Sequence, residues 1–377
     1  PHGTRDALAK VFDLRGQHAV TVIYTPSAGT YGHSGQDDVT LDAALLAHAV
    51  DGAPVRVVWA RADEFRAAPL GPGMVVDGTA RVDAAGKLTS IQMCSTSQPH
   101  AQRPGREGLV AMLAAERLSN PFPIRNTADV PIARGGGAER NAIPLYNVAN
   151  VNVSKRIAMD LPSRTSALRG LGAPVNVFAL EALMDEAALA ANVDPVQFRL
   201  AHLDDARARD VISRAAQLAG WPGEASEGEA LGIGFAQYKN RSAYCAVVVR
   251  VSIGEHIRVT HAWAAVDAGE AINPSGLHAQ VEGGIIQATS WTLKEAVQYN
   301  GATVTTERWD EYPILKFSEV PEIVIDVLDR PHEKPLGAGE TSVGPTSAAI
   351  GNAVRRALGT RVTSLPITRD AIVSAVS

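Results

Sequence analysis

Apolar residues recur along this chain with two periods, and the changes between them mark out its elements. Steps of three and four join Val177, Leu180, Met184 and Ala187, with Glu181, Asp185 and Glu186 off that face, predicting a helix opening at Pro174. Similar steps join Gln280, Gly284, Gln287 and Trp291, predicting a helix over 275–296 behind the cap-and-proline pair Asn273-Pro274. A third helix is expected from Ile350, Ala353, Val354, Ala357 and Leu358, capped by Thr346 or Ser347. Others are expected over 4–12, 39–50, 109–118, 195–203 and 206–219. β-Branched segments predict strands over 19–24, 55–60, 148–158, 232–239, 243–253 and 256–265, two more within 74–97, and further strands in 302–328. The fold class this supports is α+β, a mixed α/β chain.

Three glycine-rich loops feed helices. The first places Gly29, Gly32 and Gly35 around Tyr31 and His33, but matches neither GxGxxG nor a Walker loop. The second carries Arg169 beside Gly170 and Gly172, and the third runs through Gly337 and Gly339 into Glu340. Glycine lets backbone approach a ligand, and a helix N-terminus offers N–H donors to an anion. Glu340 is therefore a candidate general base, the alternative being a solvated residue on a plain connection. Arg169 is a ligand candidate or a salt-bridged loop residue. GGGAERN places Arg140 and Asn141 on a turn that is either functional or merely exposed. Gly283-Gly284 costs a helix roughly 1 kcal/mol per glycine, which implies something packed closely there, another helix or a ligand that Gln280 also reaches. The long irregular segment 98–145 reads as an ordered loop region, and 220–228 as a linker.

Composition narrows the function classes. With 46% hydrophobic and 20% charged residues the chain is globular, and a net charge of −5 without long charged runs gives no reason to expect nucleic acid. Cys94 and Cys245 supply neither a disulfide framework nor a cluster site, and the ten scattered histidines contain no HExxH. Ser34 lacks the second glycine of a nucleophile elbow, so a serine hydrolase is disfavoured. No apolar run or leader pattern stands out, which suggests a soluble, cytoplasmic protein, with a periplasmic or membrane-associated complex as the alternative. What remains is a chain wrapped around a large, polar, anionic ligand.

Three segments give that ligand an identity by resemblance. GAGE ahead of a helix, VDAGEAINPSGLHAQVEGGIIQATSWTLKEA, and RTSALRGLGAPVNVFALEALMDEAA resemble, in order, the molybdopterin-binding large subunit of the xanthine oxidase family, in its nicotinate dehydrogenase and isoquinoline oxidoreductase branch. The resemblance implies a molybdenum hydroxylase that oxidises an N-heterocycle or an aldehyde with water as oxygen source. Glu340 would be the active-site glutamate that takes a proton from the hydroxide at the metal, and Arg169 the arginine that orients substrate. It further implies cofactor contacts at Gly29, Thr30, Tyr31, Gly32, Arg169, Gly170, Gln280, Gly337, Ala338 and Gly339. No side chain would ligate the molybdenum, which the pterin dithiolene holds. The cofactor form implied is molybdopterin cytosine dinucleotide, whose phosphates suit the glycine loops. Tyr31 falls where many members carry Phe, so substrate identity stays open.

The family's large subunits are longer on the N-terminal side, and this chain lacks their Gly-Gln-rich pterin segment. The expectation is a companion carrying the N-terminal half, as a separate or cleaved chain. A small [2Fe-2S] subunit would take the electrons, with a flavin or cytochrome subunit as a further candidate partner. Within this chain the division expected is 1–162, a first molybdopterin-binding region incomplete at its N-terminus, and 163–377, a second carrying the Glu340 loop. The alternative from another class is a non-catalytic or repurposed scaffold of the same fold.

Overall fold

The computed structural model describes residues 1–377 except 17, 27–28, 51, 106–107, 124–128, 161–162, 224–225 and 377, and leaves the Gln36 side chain undescribed. Part of the expected 220–228 linker, the start of the first glycine loop and the last residue before the 162/163 division therefore lie outside the described residues. The chain opens with helices α1 (His2–Val11), α2 (Gln36–Ala49) and α3 (Arg61–Ala67), followed by strands β1 (Met74–Val82), β2 (Leu88–Ser97) and β3 (Asn150–Ile157). Helices α4 (Ala173–Ala190), α5 (Pro195–Ala201) and α6 (Ala206–Leu218) lead to strands β4 (Glu229–Gln237), β5 (Tyr244–Ile253) and β6 (Ile257–Asp267). Helix α7 (Pro274–Leu293) and the short pair β7 (Tyr299–Asn300) and β8 (Thr303–Val304) follow, then β9 (Glu322–Val327), α8 (Val343–Leu358) and α9 (Arg369–Val376).

One sheet has the order β1-β2-β3 and the other β4-β5-β6-β9, each mixing antiparallel with parallel pairs. The second sheet is buried on both faces, which is why β5 reads as an unbroken apolar run. Phe235, Ala246 and Val248 join a core with Leu180, Met184, Phe198 and Ile212. Val247, Val249 and Val251 join another with Val281, Ile285, Ile350 and Val354. Helix α8 lies directly on β4 because Gly232 and Gly234 present no side chain there. A Cβ at Gly232 would stand 2.2 Å from the Ala349 carbonyl oxygen. That close approach fixes the helix into which the Glu340 loop runs.

Several expectations need correction. Segments 19–24 and 55–60 belong to no sheet, and residues 19 and 20 form a bend. Val20, Val22, Val55, Val57 and Trp59 are half-buried while Thr21, Ile23, Arg56 and Val58 are exposed, the alternation of a strand with one covered face. Val20 and Val22 pack on the core containing Leu41 of α2, and Trp59 Nε1 donates to Asp42 of the same helix at 2.8 Å. Strand pairing needs a neighbour, and among the described residues no backbone hydrogen bond involves 20–26 or 53–59.

The helix expected over 109–118 shrinks to a 3-10 turn at Leu113–Arg117, because Ala111 has a φ of 49° that breaks the helical run. Of 302–328 only Thr303–Val304 and Glu322–Val327 form strands; the intervening chain lays Trp309 and Tyr312 against Phe65. Helix α8 starts at Val343, so Thr346 and Ser347 sit inside it and do not cap it. Glu181 and Asp185, expected off the apolar face, are buried. Arg199 bonds both at 2.8 Å, and Tyr146 Oη and the Phe235 N–H also donate to Glu181. Carboxylates can occupy that core because paired charge and hydrogen bonds replace their water.

Changing Gly232 to Ala should push α8 off the sheet and cost about 1–3 kcal/mol in denaturant unfolding. Gly254→Ala, with nothing within 4 Å of its new Cβ, should stay within about 0.5 kcal/mol of the parent. Equal midpoints for the two variants would show that the helix is not held by this contact.

Candidate active site

The site forms where three distant loops meet. The 164–172 loop is stapled to the N-terminal region first. Arg164 forms a buried ion pair with Asp38, Ser166 Oγ donates to the Gln102 carbonyl at 2.8 Å, and the His33 N–H donates to the Ala167 carbonyl at 2.7 Å. Gly32 bridges Leu168, and only glycine fits, since a Cβ there would lie 2.4 Å from the Ala167 oxygen. The Arg169 N–H donates to the Tyr31 carbonyl at 2.8 Å, and the guanidinium stands 5.5 Å from the Tyr31 ring.

Arg169 itself is buried and satisfied entirely by acceptors from the C-terminal part. Nε donates to the Gly339 carbonyl at 2.9 Å and Nη1 to Gln287 Oε1 at 3.2 Å. Nη2 donates to the same Gly339 carbonyl and to the main-chain and side-chain oxygens of Gln280, at 3.1 and 3.3 Å. Burial lowers the Arg169 pKa, with the charge of Glu340 the largest opposing influence, but a guanidinium remains protonated at neutral pH. The glycine notch in α7 is also accounted for. A Cβ at Gly284 would stand 2.2 Å from Ser342 Oγ, so the close neighbour is the start of α8, whereas Gly283 faces open space.

Glu340 is half-buried beside this cluster. Its Oε1 accepts the Gly170 N–H at 2.8 Å and its Oε2 accepts the Tyr238 hydroxyl at 2.7 Å. Arg140 Nη1 donates to the same Tyr238 oxygen at 2.6 Å, while its Nε and Nη2 bond the carbonyls of Gly135 and Gly136. Burial, and then the charge of Glu340, pushes the Tyr238 pKa far above that of an ordinary phenol, so the tyrosine stays a proton-bearing donor. The loop ahead of Glu340 is anchored by the Ala243 N–H on the Gly337 carbonyl at 3.2 Å and by Thr341 Oγ1 on the Ala243 carbonyl at 3.0 Å.

These groups line a cleft of about 490 Å³ that contains Tyr31, Gly32, Arg169, Gln280 and Glu340 together with Leu168 and Leu171. Gly170 and Gly339 touch it through their bonds to Glu340 and Arg169. Gly29, Thr30, Gly337 and Ala338 lie outside its lining, Gly29 directly under the Tyr31 ring. Reasoning from sequence left Tyr238 and Lys239 at the end of an apolar strand, with no local signal of a site. Asn141 places them, its Oδ1 accepting the Lys239 N–H at 3.0 Å and its Nδ2 donating to the Gln237 carbonyl at 2.8 Å. His100 also lines the cleft; burial drives its pKa down to about 4, and Nδ1 has no partner among the described residues. Tyr31, Leu171 and Lys239 adopt φ of 50°, 53° and 58°, conformations costing about 1–3 kcal/mol each that cluster at functional sites.

Two family models, both described as a molybdopterin cofactor-binding domain, match this chain, one at residues 1–130 and 136–203 and the other at 179–321. The first alone covers more than half of it. The chain belongs to this molybdopterin-binding family, of the xanthine oxidase type. It is 34% identical over 375 residues to a nicotinate dehydrogenase subunit of Pseudomonas putida, covering 95% of this chain and 30% of that protein. It is 32% identical over 322 residues to the beta subunit of isoquinoline 1-oxidoreductase of Brevundimonas diminuta, covering 79% of this chain and 41% of that one. The molybdopterin-binding chain thus spans less than half the length of these curated relatives. In fold it is similar to quinoline 2-oxidoreductase of Pseudomonas putida 86, with a TM-score of 0.78 at 15% identity over 100% of this chain and 71% of that one. It is also similar to CO dehydrogenase of Oligotropha carboxidovorans, with a TM-score of 0.73 at 12% identity over 99% and 69%. The mixed α/β architecture expected from the sequence is therefore that of molybdenum hydroxylase large subunits.

The donor set suits an organic anionic cofactor. Gln280 accepts from Arg169 through Oε1, which leaves its amide N–H groups to donate, and five lining residues are Arg or Lys against one carboxylate. Among the described residues no helix is long and apolar enough to cross a membrane.

Tyr238→Phe should remove one donor from Glu340 and one acceptor from the buried Arg140 together. The expected loss is about 1–3 kcal/mol, read as a lower thermal midpoint. An unchanged midpoint would mean that this relay contributes nothing to the folded state.

Proposed function

We propose that this chain is the C-terminal half of the large subunit of a molybdenum hydroxylase, oxidising an N-heterocycle or an aldehyde with water as oxygen source. The observation that carries the reading is the Glu340 carboxylate, held at the cleft between the Gly170 N–H and the Tyr238 hydroxyl, beside the buried Arg169. When bound, the molybdenum–pterin group supplies the two-electron acceptor and the site at which water is activated. Gln280 would hold the pterin through its amide. Gly32 and Gly170 would do so through close backbone, with Gly29, Thr30, Gly337, Ala338 and Gly339 as outer contacts.

Glu340 acts as general base. Each of its oxygens accepts one hydrogen bond from the protein, which orients the carboxylate and leaves it a second lone pair for a proton. Tyr238 keeps its own proton and therefore orients the base without competing for the transfer. Arg169 orients substrate and keeps the Glu340 loop beside it through the Gly339 carbonyl. Leu168, Leu171 and Tyr31 supply apolar wall beside the reacting carbon.

Cytosine dinucleotide as the cofactor form, [2Fe-2S] clusters on a small partner subunit and a cytoplasmic location complete the reading, with a flavin or cytochrome subunit as a further partner. So does the division into regions 1–162 and 163–377. A companion carrying the N-terminal half is supported by segments 20–26 and 53–59, whose strand-like alternation comes without a backbone–backbone hydrogen bond among the described residues. Relatives named as subunits support a heteromeric assembly.

Glu340→Gln should leave molybdenum and nucleotide content intact while lowering turnover about 10²–10⁴-fold. Turnover at the parent rate would remove the base assignment. In the assembled particle, amides of 20–26 and 53–59 should resist hydrogen–deuterium exchange as paired strands do. Exchange at the rate of open loops would show that no companion strand adds there.

A further inference from the structure

His100 lines the cleft but takes no part in the proposed chemistry. It is 1% exposed, and its backbone N–H donates to Asp129 Oδ1 at 3.2 Å. The other Asp129 oxygen accepts the Ala138 N–H at 2.8 Å and stands 3.6 Å from Lys155 Nζ. That carboxylate therefore ties the backbone of His100 to the turn that carries Arg140. The imidazole is fixed as well. Ser97 Oγ donates its one proton to the Gln98 carbonyl at 2.9 Å, so it accepts from His100 Nε2 at 3.1 Å. This bond sets the tautomer: the ring proton is on Nε2, and Nδ1 carries a bare lone pair.

Nδ1 has no partner among the described residues. His33 Nδ1 shares that condition, but His33 does not line the cleft. A buried acceptor without a donor is costly, and native structures rarely leave one. Protonation does not relieve it, because burial holds the His100 pKa down to about 4. Arg140 and Lys155 add to that effect, and Asp129 opposes it. His100 is therefore a neutral acceptor, fixed at backbone and ring, in a wall otherwise crowded with donors. Arg103, Arg134, Arg140, Arg169 and Lys239 share the lining, and Gln280 Oε1 is already taken by Arg169. Satisfying His100 takes the opposite chemistry from those groups, an N–H or an O–H.

We propose that His100 is a specificity-determining residue of this cleft, its Nδ1 accepting an N–H or O–H from the small molecule bound there. The acceptor rests on the geometry alone; that the bound molecule is the one oxidised rests on the molybdenum hydroxylase reading. The competing source of such a donor is an N–H of the pterin.

The test is calorimetric binding of 2-pyridone and N-methyl-2-pyridone, which differ at one N–H, to the purified complex containing this chain; it needs no turnover. The parent should bind 2-pyridone about ten-fold more tightly than the methylated probe. His100→Phe keeps a ring but removes the acceptor, so it should abolish the preference while binding of the methylated probe does not move. His100→Asn, whose side-chain oxygen can stand where Nδ1 does, should restore it. Ser97→Ala leaves the imidazole but frees its tautomer, and should reduce the preference. Molybdenum and cytidine content should match the parent in every variant. A parent without the preference, or His100→Phe and Ser97→Ala variants that keep it in full, overturns the proposal. So does loss of molybdenum and nucleotide from His100→Phe that His100→Asn recovers, which would give the acceptor to the pterin. A complex that shows the preference but contains no molybdenum would overturn the hydroxylase reading and leave the acceptor standing.

Discussion

A buried guanidinium has to find acceptors, and the satisfaction of Arg169 is the constraint on which this site depends. Its acceptors lie far away in sequence, on Gly339 and on Gln280 and Gln287 of α7, while its own N–H binds Tyr31. One residue therefore locks four segments together. The position of Glu340 follows from this, because its preceding carbonyl is held by Arg169 and its carboxylate by the N–H of the next residue, Gly170. Removing the arginine would leave the Gly339 carbonyl without its partner among the described residues, so the base and its scaffold are one cooperative unit.

The rest of the molecule supplies the rigidity that this unit needs. The second sheet is covered on both faces, and α8 lies on it at backbone contact. The Glu181–Arg199–Asp185 network ties α4 to α5 with every charge paired. Against that background the left-handed residues Tyr31, Leu171 and Lys239 are tolerable, because each is held by a hydrogen bond or by a flanking glycine. The N-terminal region contrasts with this. There two strand-like segments rest one face on α2 and make no backbone–backbone hydrogen bond among the described residues.

Much of the fold was legible because helices and strands that bury a face must repeat at their own periods. The long helices α4 and α7 and strands β2, β5 and β6 emerged near their observed bounds. The failures share a cause. Segments 19–24 and 55–60 have strand chemistry without a neighbouring strand, and 305–321 is held by the aromatic contacts of Phe65, not by a ladder. Glu181 and Asp185 looked solvated because their counter-ion, Arg199, lies on another helix. Glu340, Arg169 and Gln280 stood out through their glycine-rich surroundings and their resemblance to a known family, whereas Tyr238 and Lys239 looked like the end of a strand.

The amino-acid order by itself determined the mixed α/β character, the three glycine-rich loops and the family, since these are properties of local spacing and short motifs. Only the tertiary structure decided that Gly284 is packed by Ser342 and that Asn141 clamps Lys239. It alone also brought Lys239 into the lining of the cleft that holds Glu340. The physical reason is that charge compensation and close approach are pairwise quantities between residues distant in the chain, and a one-dimensional pattern carries no record of which partners meet.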